Sequence, residues 1–234
     1  MSASADDPES RTSEDSLVFT GAARWVAAAV LVIGPLLQVV EFLSENPIGD
    51  NTARVAYWAA NPARIGLAES SGLVAVPFLI GSFGVVVALT RTSSPRPAWS
   101  GAVLLTMAMA GLAAVHGLEM AAYGLTRSGN LAAAKSVLDD DHLGPPGVVL
   151  IVMFFGGAAL GTLALAAAIW RSPLVPRVAT VFVLGFAVLD FALGQGVVSH
   201  IVNLVGLSLV AVAVVVGYSR KPGSVSWVSR SAWW

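Results

Sequence analysis

Apolar and polar positions along this chain fall into blocks. Long runs in which nearly every residue is apolar are separated by short stretches rich in Arg, Pro, Ser and Asp. Runs of about 18 or more apolar residues predict membrane-spanning helices, because about 20 residues at 1.5 Å each cross the hydrocarbon. Six such runs stand at 21–43, 66–90, 101–125, 147–170, 177–195 and 197–218. The last two are joined through Gly194-Gln195-Gly196, which leaves room only for a tight helical hairpin, and the fifth run is the shortest. The first 19 residues, MSASADDPESRTSEDSLVF, are polar, Ser-rich and acidic, a composition that cannot bury a core. They read as a disordered cytoplasmic tail, since a secretory signal would open on basic residues. The expected organisation is a tail over 1–19, an all-α six-helix transmembrane domain over 20–220, and a cytoplasmic tail over 221–234 whose Trp227, Trp233 and Trp234 sit at the inner interface.

The segments between the runs carry their own patterns. Residues 50–61, DNTARVAYWAAN, offer Asp50 or Thr52 as an N-cap and set Tyr57 and Trp58 where aromatic side chains favour the interface, which predicts a short amphipathic helix on the outer surface. Residues 128–147, SGNLAAAKSVLDDDHLGPPG, predict one or two helical turns, an acidic run and a Pro-Pro-Gly break. Pro35 and Pro77 are expected to kink the first and second spans, and Gly157-x-x-x-Gly161 in the fourth lets another helix approach closely.

Composition agrees with the blocks: 56% of the residues are hydrophobic and 12% charged, against roughly 25% charged in soluble domains. A net charge of −1 supplies no basic face for nucleic acid, and the absence of cysteine excludes disulfides, thiolate metal sites and a thiol nucleophile. Nine of the thirteen Lys and Arg residues fall on the side holding the N-terminus, the 91–100 and 171–176 loops and the C-terminal tail. The other side has Arg54, Arg64, Arg127 and Lys135. Positive charge stays inside, so both termini are expected in the cytoplasm and the address is the inner, or plasma, membrane.

On that topology the strongly polar residues within spans all fall in the outer half. Gln38 and Glu41 end the first span, Glu69 starts the second, Asp190 and Gln195 close the fifth, and His200 and Asn203 open the sixth. His116 and Glu119 lie about 13 and 9 Å below the outer end of the third, with Tyr123 one turn above Glu119 towards the mouth. Gln38 with Glu41, His116 with Glu119 and His200 with Asn203 are each three apart and so share a helix face. A carboxylate at bilayer depth costs several kcal/mol unless compensated. These positions predict one outer cavity, roofed by the two long loops and floored by His116 and Glu119. The competing reading is hydration at span ends for Glu41, Glu69 and His200, and helix fastening for the His116–Glu119 pair.

The most specific chemistry such a cavity offers is acid catalysis on a lipophilic prenyl or terpenoid substrate. A carboxyl in an apolar pocket can hold a proton near neutral pH and deliver it, while further carboxylates and aromatic rings stabilise a carbocation. Glu119 is then the proton donor tuned by His116, with Glu69 and Asp190 completing the catalytic set. Glu41, Gln38, Tyr123, Gln195, His200 and Asn203 form the substrate wall. His116, His142 and His200 with Glu119 or Asp190 are an N/O set suited to zinc or iron, and His116 with His200 could be axial ligands to haem, but the histidines lie on separate elements without an HxxxH or HExxH pair. No metal and no cofactor are therefore expected, and the run Asp139-Asp140-Asp141-His142 reads as a solvated loop. Non-enzymatic binding or transport of a lipid or small molecule is the competing function, although the polar residues stop halfway across and no inverted repeat is visible. The expected partners are a lipophilic small molecule and membrane lipids, and the sequence names no protein partner. GxSxG, HExxH and EExxR are all absent.

Two stretches carry a resemblance: TARVAYWAANPARIGLAESSGLVAVPFLI (52–80) and LGTLALAAAIWRSPLVPRVATVFVLGFAVL (160–189). Through them the chain resembles, over about residues 20–220, a widespread group of bacterial six-span membrane proteins, abundant in actinobacteria, that carry a domain of unknown function. The resemblance implies a six-helix fold and an inner-membrane address and lends no activity. In size, helical make-up and intramembrane acids the chain is also similar, in a general way, to membrane-bound terpene cyclases, though it has no DxDD motif.

Overall fold

The apolar runs become helices in a computed structural model that describes residues 18–45, 49–139, 144–194 and 196–218. The order is α1 (Gly21–Ser44), α2 (Asn51–Ala60), α3 (Pro62–Thr90), α4 (Pro95–Arg127), α5 (Leu131–Leu138), α6 (Gly144–Arg171), α7 (Arg177–Leu193) and α8 (Val197–Val216), with no strand among the described residues. The two terminal tails, their tryptophans, His142 and Gln195 lie outside the described residues, apart from the last two positions of the 1–19 segment.

Proline sets several of the starts. Pro62 and Pro95 occupy the first turns of α3 and α4, where a missing N–H removes no helical bond. For the same reason the expected Pro-Pro-Gly break at 145–147 is instead the first turn of α6. α1 and α3 run on through Pro35 and Pro77. Gly217, at φ 63°, ends α8 in the left-handed conformation that glycine adopts without strain.

Five helices, α1, α3, α4, α6 from Gly147 and α8, are long and apolar enough to cross a membrane, the make-up of a multi-pass membrane protein. The sixth expected span, α7, has 17 residues and rises about 25 Å, short of the roughly 30 Å of hydrocarbon. Large apolar side chains such as Val26, Val103, Leu163, Val181 and Val188 point outwards, exposed, as a lipid-facing surface requires.

The long helices close into a ring: α1 packs on α3, α3 on α4, α4 on α6, α6 on α7, α7 on α8, and α8 back on α1. The α4–α6 seam depends on the GxxxG spacing read from the sequence. A Cβ on Gly157 would lie 2.6 Å from the Leu104 carbonyl oxygen, and one on Gly161 would lie 2.9 Å from the Leu105 nitrogen. At one end of the ring a core of Val86, Leu89, Ile169, Val175 and Val210 is sealed by Ser172, whose hydroxyl donates to the Leu89 carbonyl at 2.9 Å.

α2 and α5 roof the other end. Asp50 caps α2 by accepting from the Thr52 and Ala53 amides at 2.7 and 2.9 Å, and Asn130 caps α5. Val55 and Trp58 of α2 pack with Ile65, Ala122 and Ala134 in a second, smaller core. The Asn51 amide donates to the Leu138 carbonyl and the Asp139 carboxylate, both at 3.0 Å, which ties the two roof helices together. Arg64 donates to the Ser44 and Leu43 carbonyls at 2.8 and 3.0 Å, satisfying backbone oxygens that the end of α1 leaves open.

Candidate functional site

Inside the ring lies a cavity of about 450 Å³, lined by all six long helices and by α2, a size typical of sites for drug-sized molecules. Its roofed end is polar and its depth is apolar. Glu41, Glu45, Arg54, His116 and Glu119 line one side near the roof, Asp190, His200 and Asn203 the other. Below them Leu79, Leu105, Met109, Leu165, Val183 and Leu207 carry the cavity on, with the rings of Phe83, Phe154, Phe155 and Phe186 in the wall and Phe42 at the level of the polar residues. His116 and Glu119 therefore stand in the wall above an apolar chamber, where the sequence suggested a floor. Met109 and Leu105, two and three turns earlier on α4, still face the same space.

The larger polar group gathers four carboxyl groups around one guanidinium and one imidazole. Arg54 Nη2 donates to Glu45 Oε1 at 2.8 Å and to Glu119 Oε1 at 2.6 Å, and its guanidinium lies 4.8 Å from the Trp58 ring centroid. His116 stands between three acids: Nε2 is 3.6 Å from Glu41 Oε1, while Nδ1 is 3.4 Å from Glu119 Oε2 and 4.0 Å from Glu69 Oε2. Neither ring nitrogen makes a hydrogen bond, nor does Glu69 Oε2, although all three atoms are buried. Gly72 leaves the room for this packing, since a Cβ there would collide with His116 Cε1 and come within 2.7 Å of the Glu41 carboxyl. At the edge of the roof, burial lifts the Glu45 carboxyl above its usual range against the opposing pull of Arg54. On the exposed cap, the Ala53 and Thr52 amides hold Asp50 below its own range.

The smaller group is built by the α7–α8 hairpin. Asp190 Oδ1 accepts from the Ser199 hydroxyl at 3.0 Å and lies 3.8 Å from His200 Nε2. The His200 ring stacks on Phe42 with centroids 4.0 Å apart and meets Phe186 at 5.7 Å.

Of the residues expected in the site, Gln38, Glu41, His116, Glu119, Asp190, His200 and Asn203 all line this one cavity. Glu69 sits behind His116, buried and off the cavity surface. Tyr123 is displaced from the mouth to which its helix position assigned it. Its hydroxyl donates to the Pro62 carbonyl at 2.7 Å, and the ring packs in the roof core. Gln195 lies outside the described residues. His116 and His200 belong to different groups, and Asp139 is taken up by Asn51 and Lys135.

Three residues were missed by sequence reasoning. Glu45 extends the Gln38–Glu41 stripe by one more turn, Gly72 follows Glu69 at the three-residue spacing that shares a face, and Arg54 precedes Trp58 by four on the buried face of α2. An arginine on the apolar face of a roof helix is a signal that a carboxylate lies beneath it.

No family model, curated protein or solved structure matches the chain. The six-span group and the general likeness to terpene cyclases thus gain no support from them.

Proposed function

We propose that this is a six-span plasma-membrane protein, both termini in the cytoplasm, that binds a lipophilic molecule whose positively charged or charge-developing end meets the carboxylates under the roof. The observation that carries this reading is the single cavity, acidic at one end and ringed by phenylalanine and aliphatic side chains below. Four carboxylates in the larger group face one guanidinium and one imidazole, so the site favours added positive charge. Aromatic faces favour it too. The axial gradient seats an amphipathic molecule as a leaflet seats a lipid, head towards the surface and chain towards the midplane.

Support for α7 as the sixth span comes from its two ends. Its start follows Ser172, which is bonded to the far end of α3, whereas its end carries Asp190, which faces the roofed cavity. It therefore runs from one end of the ring to the other.

The test uses protein purified in a neutral detergent. Alkyl chains of one length ending in trimethylammonium, hydroxyl or sulfate are compared by thermal shift, and the organic extract of the protein is identified by mass spectrometry. The ammonium compound should stabilise most, and Glu41→Gln should weaken its binding roughly tenfold, about 1.4 kcal/mol. Equal shifts from all three head groups would end this reading.

A second reading, acid-catalysed cyclisation of a prenyl or terpenoid chain, is favoured by the position of Glu41. It faces the cavity beside the aromatic wall, with His116 Nε2 3.6 Å away. The donor role passes from Glu119 to Glu41, because Glu119 Oε1 is already held by Arg54. The proton added to an alkene carbon returns when the final cation loses one, so the reaction is a net isomerisation. Neutral polyenes incubated with the protein should give cyclised products by gas chromatography and mass spectrometry. Glu41→Gln should abolish the products while leaving polyene binding intact.

A further inference from the structure

We propose that Glu69, His116 and Glu119 form a binding site for a divalent transition-metal ion of the zinc class, set in the wall of the cavity. One ligand atom from each of Glu69, His116 and Glu119 lies within 4.8 Å of the other two. Donors bound to one ion at about 2.0–2.2 Å stand roughly 3.3–3.6 Å apart in a tetrahedral arrangement. Nδ1 is already 3.4 Å from Glu119 Oε2 and 4.0 Å from Glu69 Oε2, so closure on an ion draws the Glu69 carboxylate inwards while the His116–Glu119 pair keeps its spacing.

A cluster of acids alone would not point to an ion, but the state of His116 and Glu69 does. Their side chains are 3% and 4% exposed, and neither ring nitrogen nor Glu69 Oε2 makes a hydrogen bond. Buried polar atoms without partners are rare because each forfeits its hydration. Two of them, His116 Nδ1 and Glu69 Oε2, face each other at 4.0 Å and are accounted for together by a bound cation.

The surroundings match the supporting shell of such a site. Glu41 Oε1 lies on the far side of the ring from Nδ1, 3.6 Å from Nε2, where a small approach would let it accept from that nitrogen and leave Nδ1 free for metal. Arg54 holds Glu119 by Oε1 and leaves Oε2 to coordinate. Four carboxyl groups face a single guanidinium, so the group has acid to spare for a dication, which would take the place of protons. One imidazole and two carboxylates, without thiolate, suit zinc, manganese or ferrous iron better than copper(I), and the imidazole discriminates against magnesium and calcium. Because His116 and Glu119 also line the cavity, an ion held here borders the ligand space.

The experiment uses full-length protein in detergent, stripped with chelator and titrated with Zn²⁺ against a chromophoric competitor. One equivalent per chain is expected to bind at micromolar free metal or below. Glu69→Gln and His116→Gln should each weaken binding by roughly 100-fold, while Asp190→Asn, in the other polar group, stays within about twofold of the parent. No retention by the parent protein, or loss on Asp190→Asn but not on Glu69→Gln, would overturn the site. If the variants fail to accumulate, pulsed electron paramagnetic resonance of the Mn²⁺-loaded parent decides. Coupling to one imidazole nitrogen supports the assignment, and its absence overturns it. Lipophile binding is measured separately on the stripped protein, so failure of either reading leaves the other standing.

Discussion

At the scale of single residues the site turns on Arg54, which reaches the carboxylates from outside the ring. It bridges Glu45 and Glu119, residues 9 and 65 positions away in sequence. Removing one partner of a fully buried ion pair costs about 3–5 kcal/mol, because the other charge is left uncompensated. The side chains of Arg54 and Glu119 remain 21% and 17% exposed, so Arg54→Ala should cost less, on the order of 2 kcal/mol. Thermal unfolding in detergent checks this, and the double variant Arg54→Ala, Glu119→Gln should recover part of the loss. A double variant as unstable as the sum of the singles would show that the pair is not coupled. Arg54 also shows where residue-level reading stops. Counting cations by side used its charge correctly for topology, yet no local pattern tells which carboxylate, 65 positions on, it will meet. Glu41, His116 and Glu119 were legible because an ionisable group inside an apolar run is conspicuous by itself. Tyr123 was misplaced because the Pro62 carbonyl, one helix away, claims its hydroxyl.

At the scale of elements, the roof is the part whose stability is set by caps more than by hydrophobic length. α2 has ten residues, too few to hold as an isolated helix, so it depends on its Asp50 cap and on Trp58 beneath it. The amides of Ala53 and Thr52 hold Asp50 below its ordinary range. An unfolded aspartate titrates at about 3.9, so the unfolded state takes up its proton first as pH falls. The stabilisation is therefore complete above that value and is lost as pH drops through the lower folded one. The parent should thus lose more thermal stability than Asp50→Asn between pH 5 and pH 3, since asparagine still caps but does not titrate. Parallel curves for the two proteins would remove the cap from the account. Element positions were the most legible layer of the sequence, because an apolar run of span length has few alternatives and D-N-T before a short amphipathic stretch has the form of an N-cap. The first turn of α6 was misread because Pro145-Pro146 resembles a break until its place at a helix start is known.

At the scale of the whole molecule, the open matter is how the ring sits in a membrane, and there two physical signals differ in strength. On the proposed topology the asymmetry of Lys and Arg sets both termini inside, which requires an even number of crossings. Length alone finds five helices, because α7 has only 17 residues. The difference is resolved if α7 crosses with little tilt and the bilayer thins locally to meet it, at a cost of fractions of a kcal/mol per Å of mismatch. The chain has no cysteine, so single thiols report position without background. Ser93, Ser128, Pro173 and Leu193 are all exposed, at the α3–α4, α4–α5 and α6–α7 connections and at the end of α7. In intact cells a membrane-impermeant maleimide should label Ser128→Cys and Leu193→Cys. Ser93→Cys and Pro173→Cys should react only after the membrane is opened. Labelling of Leu193→Cys and Pro173→Cys from the same side would leave α7 lying along one face and halve the case for a cavity open outwards. Labelling of Ser93→Cys but not Ser128→Cys in intact cells would invert the whole ring and turn the acidic end of the cavity to the cytoplasm.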